Sequence, residues 1–388
     1  MEGYNIMKEE KYQGVELGPI RPPSEAASLM LRITRNCPWN NCKFCGLYKG
    51  QKFSIRPIDH VIKDIDTIKY YIGKIEEINV TSGGDRKELL SLTTGRPEHE
   101  RVAFQVALSW YRSGMESIFL QDANTMIVKP DDLVKILDHI KISFPKVERI
   151  TSYARSHTVA RISDEDMKRI AQAGLNRIHI GMESASDDVL KFIKKGVDKK
   201  THITAGQKVK RAGIELSEYF MPGMGGSEFS DANALETADA INQINPDFIR
   251  IRTLAIPEST ELYKDYKSGA FKKIGDIQVA KELLKFLDNI EGVTSTIKSD
   301  HILNLFQEVE GTLPGDKEKM TAPIRKFLAM NPYDQTIYMV GRRAGIFTKL
   351  DDMNNSSLLE HAKTSCESYG VKPENVENFT AEVMKRFI

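Results

Sequence analysis

Three of the four cysteines in the 388-residue chain, Cys37, Cys42 and Cys45, stand within nine residues, and the fourth, Cys366, lies more than 300 residues away. Thiolates are soft ligands for zinc and for iron–sulfur clusters, and a tight run on one loop lets several reach one metal centre without help from distant chain. A closed structural zinc site takes four protein ligands, as does an ordinary electron-transfer cluster. Here there are three, with no histidine within ten residues. A cluster held by three cysteines keeps one iron free of protein, and that position is open to a substrate or cofactor. Zinc completed by an outside ligand and a redox disulfide are the other chemistries this spacing allows.

The loop needs a rigid carrier. Residues 28–34, Ser-Leu-Met-Leu-Arg-Ile-Thr, are an apolar, partly β-branched run stopped by Asn36 and Pro38, which predicts a buried strand with the cysteines at its C-terminal end. Residues 1–27, punctuated by Gly18, Pro19, Pro22 and Pro23, read as a lead-in. A helical pattern spans 58–71, and residues 72–98 read as an insertion able to cover or line the site. Beyond it the chain alternates: helix 99–113, strand 115–120, helix 130–144, strand 147–153, helix 164–174, strand 177–184, helices 185–195 and 200–212, strand 214–220, helix 230–243, strand 248–254. Six apolar strands separated by helices predict a parallel sheet with its active groups at the C-terminal strand ends. Past Pro257, helices near 278–290, 300–310, 316–329, 355–368 and 375–387 dominate, with one extended stretch at Thr336–Gly341. Residues 258–388 are therefore expected to form a mainly helical C-terminal domain.

The cysteine stretch resembles the signature of the radical S-adenosylmethionine (SAM) superfamily, in which three cysteines follow the first strand of a barrel and an aromatic, here Phe44, precedes the third. It departs from the commonest spacing by one extra residue between the first two cysteines, where Pro38, Trp39, Asn40 and Asn41 stand. The resemblance covers roughly residues 20–257. It implies an α/β fold, an open (β/α)6 partial TIM barrel, and a 4Fe-4S cluster on Cys37, Cys42 and Cys45 whose open iron chelates the amine and carboxylate of SAM. It further implies an enzyme that cleaves SAM reductively to a 5′-deoxyadenosyl radical, which abstracts hydrogen from an organic substrate, with electrons from a flavodoxin or ferredoxin.

Two stretches compete for the superfamily's Gly-Gly-Glu motif, a strand-end turn that meets the SAM amine. Ile78–Asp85 contains Gly83-Gly84-Asp85, but Gln121–Thr125 lies one helix before the strand ending near Tyr153, which is normal βα spacing. Gln121, Asp122 and Asn124 are thus the expected cofactor contacts. The strand ends from 181 to 226 resemble the branch of oxygen-independent coproporphyrinogen oxidases, methylthiotransferases and the Elongator catalytic subunit. Carried over by position, Glu183 in Gly181-Met182-Glu183-Ser184 bonds the SAM ribose or amine, Lys195 the carboxylate and Glu218 a ribose hydroxyl. Tyr153, Arg155 and Arg252, at strand ends, join them as cofactor contacts, the two arginines as anchors for SAM or for an acidic substrate, and Arg21, close in sequence to the strand carrying the cluster, is placed to reach the cofactor's carboxylate. Plainer readings make Glu183 a helix-start carboxylate, Lys195 a solvated lysine and the arginines members of structural ion pairs. Asp300 and His301 are the expected substrate contacts, against helix capping as the alternative; Cys366 reads as a bystander.

Lys and Arg number 55 against 54 Asp and Glu, a formal charge of +1, so no global basic field recruits nucleic acid or an anionic membrane. An RNA-modifying reading would want a basic patch in 257–388, where Lys317–Lys326 and Arg342-Arg343 are sparse. The expectation is a small-molecule substrate, with nucleic acid and membrane not expected as partners. The absence of a second cysteine cluster argues against methylthiolation and sulfur insertion, and that of a Rossmann-like domain before the barrel argues against cobalamin-dependent methyl transfer. Leu47 occupies the fourth-cysteine position of the coproporphyrinogen-oxidase type. With no apolar signal core, no 18-residue apolar run and no disulfide framework, the expected location is the cytoplasm, under the anaerobic conditions an oxygen-sensitive cluster needs. An RNA- or protein-modifying radical enzyme and a non-enzymatic zinc-binding protein are the alternatives.

Overall fold

The apolar runs that alternate with helices lie side by side as strands in the computed structural model, which describes residues 10–385. Strands β1 (Leu29–Arg32), β2 (Ser117–Gln121), β3 (Arg149–Ala154), β4 (Arg177–Glu183), β5 (Glu215–Phe220), β6 (Phe248–Ile251) and β7 (Thr296–Lys298) pair in that order, each parallel to the next. An eighth, β8 (Gly311–Thr312), adds antiparallel to β7, and β1 and β8 are the two edges, so the sheet stays open. Helices cover its outer face, and the alternation forces every crossover to be long, which is why the pairing is parallel. On the inner face a layer of rings, Phe119, Tyr153, His179 and Tyr219, crosses β2 to β5 with successive centroids 5.2, 5.7 and 6.1 Å apart. That layer floors the cavity described below.

Six strands were expected and the sheet has eight. β7 escapes sequence reading because Thr-Ile-Lys offers one apolar residue, Ile297, and it forms only because β6 presents a free edge. The sheet therefore continues past residue 257. Residues 72–98 carry no strand: a helix runs unbroken from Ile58 to Ser82, burying Ile68, Tyr71, Ile72 and Ile75, and Gly83 ends it at φ 65°. The β-branched look of Ile78–Val80 yields to that continuing apolar stripe. None of residues 72–98 lines the cavity.

Two C-terminal expectations also change. Thr336–Gly341 is helical, within Pro332–Arg343, and is buried along its whole length. Complete burial gives a continuous apolar run that hides the helical period; Asn331 capping Pro332 was the legible start signal. Residues 300–310 form turns rather than a helix, because their carbonyls accept from side chains. Arg343 Nη1 donates to Leu303 O at 2.6 Å, and Arg342 to Asn304 O at 3.1 Å and Leu305 O at 2.9 Å. The first nine residues of the lead-in and residues 386–387 of the last expected helix lie outside the described residues. Among the described residues no helix is long and apolar enough to cross a membrane.

Candidate active site

All three clustered cysteines line one cavity of about 290 Å³ at the C-terminal ends of the strands, with Phe44, Tyr153, Arg155, Glu183, Lys195 and Arg252 around it. The loop that carries the thiols is fixed by its surroundings. Asp122, buried at the end of β2, accepts from Arg32 Nε at 2.7 Å, from the Asn36 amide at 3.0 Å and from the Tyr48 hydroxyl at 2.9 Å. Arg32 and Arg56 also reach Glu16, and Arg56 meets buried Asp64 at 2.6 Å, so the described lead-in is tied to the same loop. On the far side the Lys43 amide donates to Ile193 O and the Leu262 amide to Lys43 O, both at 2.9 Å.

Two cationic groups face the cysteine loop. Lys195 Nζ lies 3.1 Å from Glu183 Oε1 and 5.6 Å from the centre of the Phe44 ring. Arg155 lies 5.1 Å from the Trp39 ring and donates to Lys195 O at 2.9 Å. Burial opposes the charge of Lys195, yet Glu183 and the Cys42 sulfur outweigh it, and its pKa stands above the ordinary lysine value. Burial raises the Cys42 and Cys45 thiols, with Lys195 pulling both down and Arg155 also lowering Cys42. Five non-glycine residues around the site adopt left-handed backbone: Asn36 (φ 67°), Asn40 (49°), Asp122 (76°), Glu183 (66°) and Lys194 (54°). Such strain persists only where the surroundings enforce it, and it gathers at functional sites.

The sequence-predicted residues divide. Gln121, Asp122 and Asn124 do not line the cavity. Gln121 holds the lead-in through the Gly18 amide and the Gly18 and Ile20 carbonyls, Asp122 clamps the cysteine loop, and Asn124 bonds the Arg155 amide and Thr158. Their polar groups are spent on protein, so this turn positions other groups. Glu218 is sealed beneath the cavity with neither carboxylate oxygen partnered. Asp300 bridges Arg250 and Arg252, and His301 flanks it outside the cavity lining. Arg21 is exposed next to Ile20, a lining residue, and Cys366 is buried in the helix Ser356–Ser368.

Sequence reading missed Trp39, Tyr219 and the buried pair His202 and Ser156, whose Nδ1 and Oγ lie 2.6 Å apart. Burial, reinforced by Lys195, lowers His202 to about 3, so it stays neutral. A histidine in the first turn of the helix Lys199–Arg211 carries no local signal.

A three-thiolate cluster and SAM fit these residues. The thiols share one wall, and among the described residues no three His, Cys, Asp or Glu side chains converge tightly enough for a single ion; a cluster asks for less, since each thiolate binds its own iron. At Gly181 a Cβ would come 2.4 Å from Glu183 Oε1 and 3.3 Å from Lys195 Nζ, so the backbone there is bare toward the ion pair. Unpartnered Glu218 and the unpartnered Tyr219 hydroxyl are buried polar groups of the kind that normally find partners.

Burial pushes Glu218 well above the ordinary carboxylate pKa. The folded chain thus holds this proton more tightly than the unfolded one, and this group's contribution to stability, present at low pH, is lost as pH rises above the ordinary carboxylate range. Glu282, which braces the turn after β5 through Gly223, Ser230 and Asn233 and is pushed up to about 7, has the same sign. Glu218→Gln is expected to flatten part of the fall in stability that melts show as pH rises above the ordinary carboxylate range. An unchanged slope would exclude an ionisable, buried Glu218.

The sequence profile of the Radical SAM superfamily matches residues 31–238. The chain belongs to this superfamily, whose members use a 4Fe-4S cluster and SAM, and it is an enzyme. It is 27% identical over 291 residues to the tRNA uridine(34) acetyltransferase of Methanocaldococcus jannaschii, covering 70% of this chain and 50% of that protein. It is 29% identical over 129 residues to the enzyme of the same name from Methanocaldococcus infernus, covering 33% of this chain and 24% of that protein. The chain thus spans half or less of the length of these relatives. Among solved structures, an N-terminally truncated Elp3 from Methanocaldococcus infernus superposes with a TM-score of 0.40 at 19% identity, covering 52% of this chain and 53% of that one. The Escherichia coli coproporphyrinogen III oxidase does so with 0.39 at 11%, covering 88% and 80%. Both sequence relatives are named for tRNA, which overturns the expectation of a small-molecule substrate without nucleic acid. That expectation rested on net charge, which averages away local fields, and on the sparse bases of residues 257–388.

Proposed function

We propose that the chain is a SAM-cleaving radical enzyme that acts on RNA, with its cluster on Cys37, Cys42 and Cys45. The observation that carries the reading is one cavity, at the strand ends of a radical SAM fold, uniting three thiols with the Glu183–Lys195 pair. When bound, the cluster and SAM supply a reducing electron and a carbon radical able to remove hydrogen from a substrate. The chain's own groups orient and enclose. Lys195 and Arg155 favour thiolate and carboxylate charge beside the loop. Glu183 accepts from an amine or hydroxyl. The rings of Tyr153 and Tyr219 exclude water from the floor.

For RNA, support comes from the relatives and from local charge. Residues 26–58 contain six Lys or Arg and no Asp or Glu. Four of the six are paired elsewhere; Lys49 and Lys52, with Arg21 and Arg161, have no carboxylate partner among the described residues. These four stand in the lead-in and in the segments following β1 and β3. Phosphates can neutralise them, with binding that weakens steeply as salt rises.

The test is anaerobic: reconstitute with iron and sulfide, supply SAM and dithionite, and measure 5′-deoxyadenosine with bulk tRNA or with free nucleosides. Stimulation of about tenfold or more by tRNA, lost at high salt, is expected. SAM cleavage that ignores tRNA, in a protein that does not bind it at low salt, would refute the RNA reading and leave the radical reading in place.

A further inference from the structure

Arg252, at the end of β6, does not share the surroundings of Lys195 and Arg155. Those two touch the aromatic residues of the cysteine loop. Arg252 lies 5.0 Å from the Tyr219 ring, and its Nη1 donates to Ile251 O at 3.0 Å and to Asp300 Oδ1 at 2.8 Å. The other Asp300 oxygen accepts from buried Arg250 at 2.6 Å. One carboxylate thus serves two guanidinium groups, leaving one positive charge uncompensated. Burial, together with Arg252, lowers the adjacent His301 to about 4, so it adds no charge near neutral pH. Nε and Nη2 of Arg252 have no partner among the described residues and remain open to solvent. They are two parallel donors of the kind that takes a phosphate or carboxylate by a forked contact. The cavity therefore has two cationic walls. One is built onto the cysteine loop. The other is preorganised by Asp300 and Tyr219, with four strands between β1 and β6.

We propose that Arg252, held by Asp300, receives an anionic group of the substrate, and, resting on the RNA reading above, that this group is a nucleotide phosphate, while Lys195 and Arg155 serve the cofactor. Of the two roles expected of Arg252, anchor for SAM or for an acidic substrate, the second is kept and made specific, and Asp300 becomes a positioning residue. A neutral substitution removes a hydrogen bond to a charged group and should cost about tenfold or more in affinity for that anion alone.

The experiment uses the reconstituted full chain and measures binding of SAM, uridine 5′-monophosphate, uridine and inorganic phosphate to wild type and Arg252→Gln. The expected result is uridine monophosphate bound at least about tenfold more weakly by the variant, with uridine and SAM within about twofold of wild type. Equal losses for uridine monophosphate and uridine would overturn the proposal. If Arg252→Gln loses SAM as well, Arg252→Lys decides: SAM restored with uridine monophosphate still weakened upholds the proposal, and parallel losses of both overturn it. Inorganic phosphate bound through Arg252, without any binding of the nucleotide or tRNA, would keep the anion site and reject the RNA reading. Wild type that binds neither phosphate nor nucleotide would overturn the site itself.

Discussion

Cys42→Ala is expected to strip the chain of its cluster and to cut 5′-deoxyadenosine formation by more than about a hundredfold, since even residues that merely support metal ligands cost about 10–100-fold when lost. The three thiols share one cavity, and the fourth cysteine, Cys366, is buried in the helix Ser356–Ser368 and does not line it. Lys195 and Arg155 bias the Cys42 sulfur toward the thiolate a metal requires, and Ala offers them no charge to pair with. Cys366→Ala supplies the control, with iron content and SAM cleavage as in wild type. Iron and sulfide assays with anaerobic product analysis decide the matter. A Cys42→Ala protein that retains a full cluster and turns over SAM would refute the assignment, and zinc found in place of iron in reconstituted wild type would favour the structural-metal alternative.

Asp122→Ala is expected to lower stability by about 3–5 kcal/mol, the usual cost of breaking a buried ion pair from one side, and to reduce cluster loading. Its carboxylate joins the end of β2 to three points of the cysteine segment, Arg32, Asn36 and Tyr48. Alanine also sits poorly at φ 76°. Asp122→Asn keeps an acceptor and tolerates the left-handed backbone, so it should fall between wild type and alanine. Denaturant melts of the ligand-free protein and iron content after reconstitution read both effects separately. Wild-type stability and loading in the alanine variant would show that the loop is held by its bonds to Ile193 and Leu262 instead.

Asp122 also shows why motif matching by position misassigns roles. Sequence spacing placed Gln121–Thr125 at a strand end beside the site, and the strand does end there. Spacing cannot tell whether a polar group at a strand end faces the cavity or the protein, because that depends on what the neighbouring loops present. The Gly18 backbone and the Tyr48 hydroxyl, from segments far apart in sequence, consume the groups that glycines would have left bare.

Local chemistry determined the clustered thiols, the repeated βα order and the strand-end positions of Tyr153, Arg155, Glu183 and Arg252, because thiol spacing and apolar periodicity act over a few residues. Tertiary structure decided the rest. It supplied β7, a strand created by a free sheet edge rather than by its own composition, and it read Thr336–Gly341 as a helix, because a segment buried on all sides loses the polar stripe that marks its period. It also divided the cavity's cations between two walls: Lys195 reaches Glu183 and Phe44 across the site, whereas Arg252 is claimed by Asp300, 48 residues further on. Which partner a charged side chain takes depends on distances that only the folded chain sets.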